Sequence, residues 1–158
     1  PLSPLGILHT IVGAATVLSA LYLLIVYKQI VLDNLYGKIY LVGTVITAAS
    51  ALGIYKNGTP NVAHGLAALT IVAAIAGIIA ARTEFLGGLK KYAVALCFSS
   101  TILFHMLPTA TEILTRFPMD APMVTSLEAP LLQNVFGALL LTFIVLLAVQ
   151  MNWLRKQP

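Results

Sequence analysis

The sequence predicts an all-α integral membrane protein, a bundle of five transmembrane helices that forms one domain over residues 1–158. The first observation is composition: 59% of the 158 residues are hydrophobic and only 9% are charged. A chain of this length cannot hide so much apolar surface in a water-soluble core, and its mean hydropathy is +0.97. The second observation is that the apolar residues fall into five runs of about 20 residues, the length that a helix needs to cross a bilayer.

The first three spans are apolar runs separated by short polar connections, and we expect them at residues 5–27, 37–55 and 62–81. Lys28 and Asp33 lie in the first connection, and Gly and Pro residues mark a turn in the second. Such short connections predict that neighbouring helices are antiparallel.

The fourth and fifth spans are expected at residues 92–111 and 131–153. Pro108 lies inside the fourth span, where its missing N–H predicts a kink or an end to the regular helix. The connection 112–130 is the one long loop, rich in proline and acidic residues. Its first residues either continue the fourth helix or form a short helix at the membrane surface.

The distribution of Lys and Arg predicts the orientation, because these residues are enriched on the cytoplasmic side of membrane proteins. With the N-terminus outside, the inner side holds seven of them: Lys28, Lys38, Arg82, Lys90, Lys91, Arg155 and Lys156. The outer side then holds only Lys56 and Arg116. We therefore expect the N-terminus outside and the C-terminus inside, and the inner membrane of a bacterium as the location.

Several functional classes are disfavoured by the same pattern. The basic residues occur singly or in pairs beside apolar runs, as membrane-flanking charges do, so nucleic acid is not an expected partner. The single cysteine, Cys97, excludes an internal disulfide and a zinc site built on a Cys pair. The expected partners are the lipid bilayer and either other membrane subunits or further copies of this chain. No motif of a known enzyme class is present, so the sequence leaves open whether the protein is an enzyme.

The three histidines are the candidate functional residues. At about 1.5 Å of rise per residue, the predicted spans place His9, His64 and His105 toward the same outer membrane face, each on a different helix. Ionisable groups inside spans are costly and are functional candidates by default.

Three interpretations of these histidines are open. His64 and His105, with His9 nearby, are candidate ligands of a b-type haem. In the second interpretation, all three histidines are ligands of a copper or zinc ion with an open fourth coordination position, and Glu112 is a further candidate ligand. In the third interpretation no cofactor is bound, and each imidazole is hydrogen-bonded to a Ser, a Thr or a backbone carbonyl.

Glu112 is seven residues beyond His105, and therefore on nearly the same helix face. It is a candidate for orienting that imidazole or relaying a proton. The other interpretation places Glu112 beyond the membrane edge, paired with Arg116 four residues later.

Two short motifs resemble a known family. Leu8-His9-x-x-x-Gly13 is followed by Asp33-Asn-Leu-Tyr-Gly37-Lys38-Ile-Tyr40. The pattern resembles a bacterial family of small predicted multi-helix membrane proteins of unknown function, which carry L-H-x-x-x-G in one span and H-R-x-x-G-R-x-Y opening the next. Asp33 and Asn34 stand where that family has His-Arg, so a site on that histidine does not carry over. The resemblance covers about 8–105 and implies a helical membrane fold without an activity.

Two functions follow as hypotheses. In the first, the histidines hold a haem or metal ion near the outer face, for electron transfer or metal handling. In the second, the chain is a non-catalytic accessory or structural subunit of a larger membrane complex.

Overall fold

The computed structural model describes residues 3–55 and 58–158, and it confirms the predicted all-α fold class. The described residues form five α-helices: α1 (Pro4–Tyr27), α2 (Leu35–Leu52), α3 (Val62–Arg82), α4 (Lys90–Arg116) and α5 (Pro130–Arg155). A single 3₁₀ turn, Gly87–Leu89, precedes α4. All five helices are long and apolar enough to cross a membrane, so the chain is an integral membrane protein.

The helix ends are set by local capping. Ser3 precedes α1, and its hydroxyl accepts a hydrogen bond from the N–H of Gly6 at 3.1 Å. Lys28 caps the C-terminal end of α1: it adopts the left-handed conformation (φ 61°) and donates its N–H to the Leu24 carbonyl. α2 starts behind Asn34, whose side chain accepts from the N–H of Gly37 at 2.8 Å. Each cap satisfies a backbone group that the helix itself leaves unpaired.

The helices pack mainly in chain order: α1 on α2, α2 on α3, and α3 on α4. A further contact between α1 and α4 closes these four into a bundle, while α5 packs on α4. Only Leu132, Gln150 and Leu154 of α5 are buried. Because neighbours are antiparallel, one end of the bundle holds the starts of α1, α3 and α5 and the ends of α2 and α4. We call this the N-terminal end.

The course of α4 settles the two alternatives for the start of the long loop. Pro108 lies inside α4, which continues to Arg116 without ending at the proline. Residues 112–116, which the sequence assigned to the loop, are therefore helical, and the loop spans 117–129. Glu112 consequently projects from a helix.

Glycines allow the closest helix contacts. A Cβ added to Gly43 of α2 would lie 2.0 Å from Oγ1 of Thr16 on α1. A Cβ added to Gly77 of α3 would lie 2.6 Å from the Phe98 ring on α4. Interfaces between membrane helices depend on such small residues, because lipid provides little hydrophobic force to hold helices together.

An apolar cluster fills the opposite end of the bundle interior. Its buried members are Ala20, Leu23, Ile30, Tyr40 and Phe98. The rings of Tyr40 and Phe98 meet edge to face, with centroids 6.0 Å apart. The buried hydroxyl groups described below are thus closed off at this end by apolar side chains.

Replacing Gly43 tests the α1–α2 contact. Gly43→Ala places a methyl group on Thr16, and overpacking of this kind costs about 1–3 kcal/mol. We expect a lower unfolding midpoint in detergent, partly restored by adding Thr16→Ala, which removes the clashing hydroxyl. Gly137→Ala on α5 is the matched control, because nothing lies within 4 Å of its added Cβ. An unchanged midpoint for Gly43→Ala would show that the contact is looser than described.

Candidate functional site

The site is built on one polar face of α2. Four polar residues are buried at helical spacing on this helix, and we call them the polar stripe: Tyr40, Thr44, Thr47 and Ser50. Thr44 is fully buried, and Thr47 and Ser50 are 6% and 8% exposed. Hydroxyl groups facing hydrocarbon would lack partners, so this face turns toward the interior of the bundle.

His9 of α1 is hydrogen-bonded to the part of the polar stripe that lies closest to the N-terminal end of the bundle. Its Nδ1 lies 3.0 Å from the backbone oxygen of Thr47 and 2.9 Å from Oγ of Ser50. The Ser50 hydroxyl itself donates to the Thr47 oxygen at 3.0 Å. A carbonyl oxygen only accepts, so His9 carries its proton on Nδ1, and Nε2 is the basic nitrogen.

His105 of α4 reaches the middle of the stripe. Its Nε2 lies 3.2 Å from Oγ1 of Thr44, and the Thr44 hydroxyl also faces that of Tyr40. The Tyr40 hydroxyl is bonded to the Thr101 hydroxyl, which donates to the Phe98 carbonyl at 2.6 Å. These contacts form a single chain of polar groups across α2 and α4.

The direction of donation along this chain is fixed by its last member. The Phe98 carbonyl only accepts, and it lies 2.6 Å from the Thr101 hydroxyl and 3.2 Å from the Tyr40 hydroxyl, both as donors. The Tyr40 proton is therefore directed to this carbonyl or to the Thr101 oxygen. Tyr40 thus has no proton left for the Thr44 hydroxyl that faces it, so we expect Thr44 to donate toward Tyr40 and to accept from His105, 3.2 Å away. The expected tautomer of His105 therefore has the proton on Nε2 and the lone pair on Nδ1.

The polar stripe brings two of the three histidines together. Thr44 and Thr47 are one helical turn apart, about 4.5 Å along the axis, so their imidazole partners meet α2 on adjacent turns. This pair differs from the sequence-based pairing of His64 with His105.

His64 has local partners at the start of α3. Its Nδ1 accepts from the backbone N–H of Asn61 at 3.1 Å, which completes the cap of α3. Its ring packs on that of Tyr55, with centroids 4.6 Å apart. Nε2 is buried, and within the described parts of the chain it has no hydrogen-bond partner. His64 has no hydrogen bond to the polar stripe.

Glu112 pairs with Arg116 at i,i+4 on α4. Both side chains are about two-fifths exposed, at 41% and 39%. This is the ion pair expected in the second of the two interpretations of Glu112.

No set of three or more His, Cys, Asp and Glu side chains in residues 3–55 and 58–158 is grouped as metal ligands would be. The three histidines and Glu112 therefore do not form one cluster. Thr47, whose backbone carbonyl lies against His9, also has an unusual side chain. Its Oγ1 is buried and has no hydrogen-bond partner among the described residues.

Sequence reasoning missed the members of the site that hold the imidazoles. The signal was present in α2, where Tyr40, Thr44 and Thr47 recur at intervals of four and three. It also missed Gln150 of α5, which accepts from the Ser99 hydroxyl at 2.8 Å and donates to the Lys28 carbonyl at 2.9 Å. This amide links α5 to α4 and to the end of α1.

No protein-family model, curated protein or solved structure matches this chain. The family resemblance therefore stays a prediction. Of the residues that carry it, Gly13 of α1 lies against Thr47 of α2, Gly37 lies against the backbone of Val31 in the connection between these helices, and Tyr40 is buried.

The Thr44 hydroxyl offers a direct test of the chain to His105. Thr44→Val keeps the side-chain shape and leaves the His105 Nε2–H without its acceptor. Hydrogen bonds between membrane helices contribute about 0.6 kcal/mol on average and up to about 1.7 kcal/mol, and a loss in this range is expected. The measurement is the unfolding midpoint in detergent. Thr142→Val is the control, because Thr142 is exposed on α5. Equal midpoints for the two variants would contradict the assigned contact.

Proposed function

We propose that this membrane protein handles a metal ion, and that His9 and His105 hold one copper or zinc ion near the N-terminal end of the bundle. One observation carries the proposal: each ring has one nitrogen within hydrogen-bond distance of the polar stripe, at the Thr47 carbonyl or the Thr44 hydroxyl, and in the expected tautomers this nitrogen is the donor. The other nitrogen of each ring keeps its lone pair. Histidines that bind metals have this arrangement, since the outer hydrogen bond fixes the tautomer and raises the basicity of the ligating nitrogen.

The donor set fits a metal that is taken up and released. Imidazole suits copper and zinc, and these ions are bound at about 2.0–2.1 Å from each nitrogen. Two protein ligands leave coordination positions for water or for a passing ligand. The unpartnered Thr47 hydroxyl supports this reading, because a water on the ion would supply the hydrogen bond that Oγ1 lacks.

A b-type haem fits these residues less well. A haem needs a slot between its two ligand histidines, wide enough for the macrocycle. Surface grooves formed by the described residues lie between α4 and α5 and between α1 and α2, and no histidine lines either of these two.

Metal analysis of single variants tests the site. The protein, purified in mild detergent, is titrated with Cu(II) or Zn(II), and bound metal is measured per chain. We expect near one ion for the protein and for the control His64→Ala. Losing an outer partner alone weakens metal binding about 10–100-fold, so His9→Ala and His105→Ala should weaken it at least as much.

Two outcomes of that experiment would overturn the proposal. One is unchanged metal binding in both His9→Ala and His105→Ala. The other is an absorption band near the visible region that shifts on reduction. Such a band would identify a haem, and all three histidines would again be candidate ligands.

We also propose an orientation and a location. The N-terminal end of the bundle lies outside, and the membrane is the inner membrane of a bacterium. Asp33 and Glu128 are exposed in loops at opposite ends of the bundle. In a Cys97→Ala background, Glu128→Cys should react with a membrane-impermeant maleimide in intact cells. Asp33→Cys should react only after permeabilisation. The reverse pattern would contradict this orientation.

An accessory-subunit role is the second candidate, and the exposure of α5 favours it. Six large apolar side chains of this helix are 49–63% exposed: Leu140, Leu141, Ile144, Val145, Leu146 and Val149. In this role the protein would co-purify with a membrane partner in fixed ratio. A metal-binding protein that runs as a single chain would count against it.

A further inference from the structure

A groove runs between α1 and α2 on the outer surface of the bundle. Its volume is about 440 Å³, and its lining is almost wholly apolar. The lining includes Ile11, Ala15, Lys38, Ile39, Val42 and Ile46. None of the site residues described above lines it, so this groove is separate from the histidine pair.

Small residues create the groove, and larger ones form its walls. Gly43 presents no side chain, and Thr16 approaches it closely, so the two helices nearly touch beneath the groove. Ile11 and Val42, at 64% and 58% exposed, rise on either side. This shape in a membrane span fits a flexible hydrocarbon chain.

Lys38 marks one end of the groove. It lies in the first turn of α2, at the end of the bundle opposite the N-terminal end, and its side chain is exposed. Side chains on a helix lean toward its N-terminus, so Lys38 leans toward the membrane surface, where its ammonium group reaches the headgroup level. Among the residues that the structure describes, this ammonium group has no ion-pair or hydrogen-bond partner.

We propose that this groove binds an anionic phospholipid, with one acyl chain along α1 and α2 and the phosphate on Lys38. Ile46 follows Lys38 by eight positions on α2, which gives the groove a length of about 12 Å, enough for part of one acyl chain. Charge selects the headgroup, because an unpaired cation beside an apolar groove favours a lipid with a net negative charge over a zwitterionic one.

Native mass spectrometry in mild detergent tests the charge selection. The protein is mixed with phosphatidylglycerol and phosphatidylcholine of identical acyl chains, and lipid adducts are counted. One basic residue near the surface contributes about 1 kcal/mol, so a preference of about fivefold for phosphatidylglycerol is expected. Lys38→Gln should abolish most of it. Lys156→Gln, which removes another exposed lysine at the same end of the bundle, should leave it intact.

A steric variant tests the groove itself. Ala15→Phe fills the groove and should reduce retention of both lipids. Ala14→Phe is the matched control, because Ala14 is the adjacent exposed residue on α1 but does not line the groove. The proposal is overturned if Lys38→Gln keeps the full preference, or if Ala15→Phe and Ala14→Phe retain lipid equally.

Discussion

A hydroxyl or imidazole group in the interior of a membrane must find a partner within the protein, and this constraint organises the bundle around α2. Water is absent from the hydrocarbon core, so each unpaired polar group there costs several kcal/mol. The Ser50 hydroxyl donates to a carbonyl of α2 itself, whereas Tyr40 and Thr44 find polar partners on a neighbouring helix. His105 and Thr101 of α4 are those partners, and His9 of α1 contacts the stripe as well. The polar contacts thereby fix how α1 and α4 face α2.

The same helix combines polar contacts with close approach. Gly43 lets α1 come near enough for Thr16 to touch the α2 backbone, and Gly37 lets α2 start directly against Val31. Without these glycines the helices would stand further apart, and His9 would not reach Thr47. The small residues and the polar residues of α2 therefore act together, the former setting the distance and the latter the rotation of each neighbour.

The polar chain from His105 ends at a backbone carbonyl, and this argues for holding the imidazole rather than conducting protons. The Phe98 oxygen accepts and has no proton to pass on, and the apolar cluster around Tyr40 closes that end of the bundle. A transmembrane proton path would need donors and acceptors beyond Tyr40. A fixed imidazole with one basic nitrogen, in contrast, is suited to a ligand that binds near one membrane face.

The sequence was sufficient to predict the membrane spans but not to predict which residues form the candidate site, and the reason is physical. Hydropathy and length locate a membrane helix, because apolar composition is what the bilayer requires. The position of each histidine along its helix could also be predicted from the spans, and all three were placed toward one end. The rotation of each helix about its own axis could not be predicted from the sequence, since it depends on which helix packs against which face. His64 was thus paired with His105 on depth alone, whereas α2 brings His9 to that site.

The hydrogen bonds of the two site histidines are tested most directly by nitrogen NMR of the histidine rings in lipid bilayers at about pH 8, where imidazole is ordinarily neutral. With only three histidines in the chain, single substitutions assign every ring signal. Opposite tautomers are expected for the two site residues: the proton on Nδ1 in His9 and on Nε2 in His105. A proton on Nε2 of His9, or a mixture of tautomers at either ring, would contradict the hydrogen bonds to α2 on which the proposed site depends.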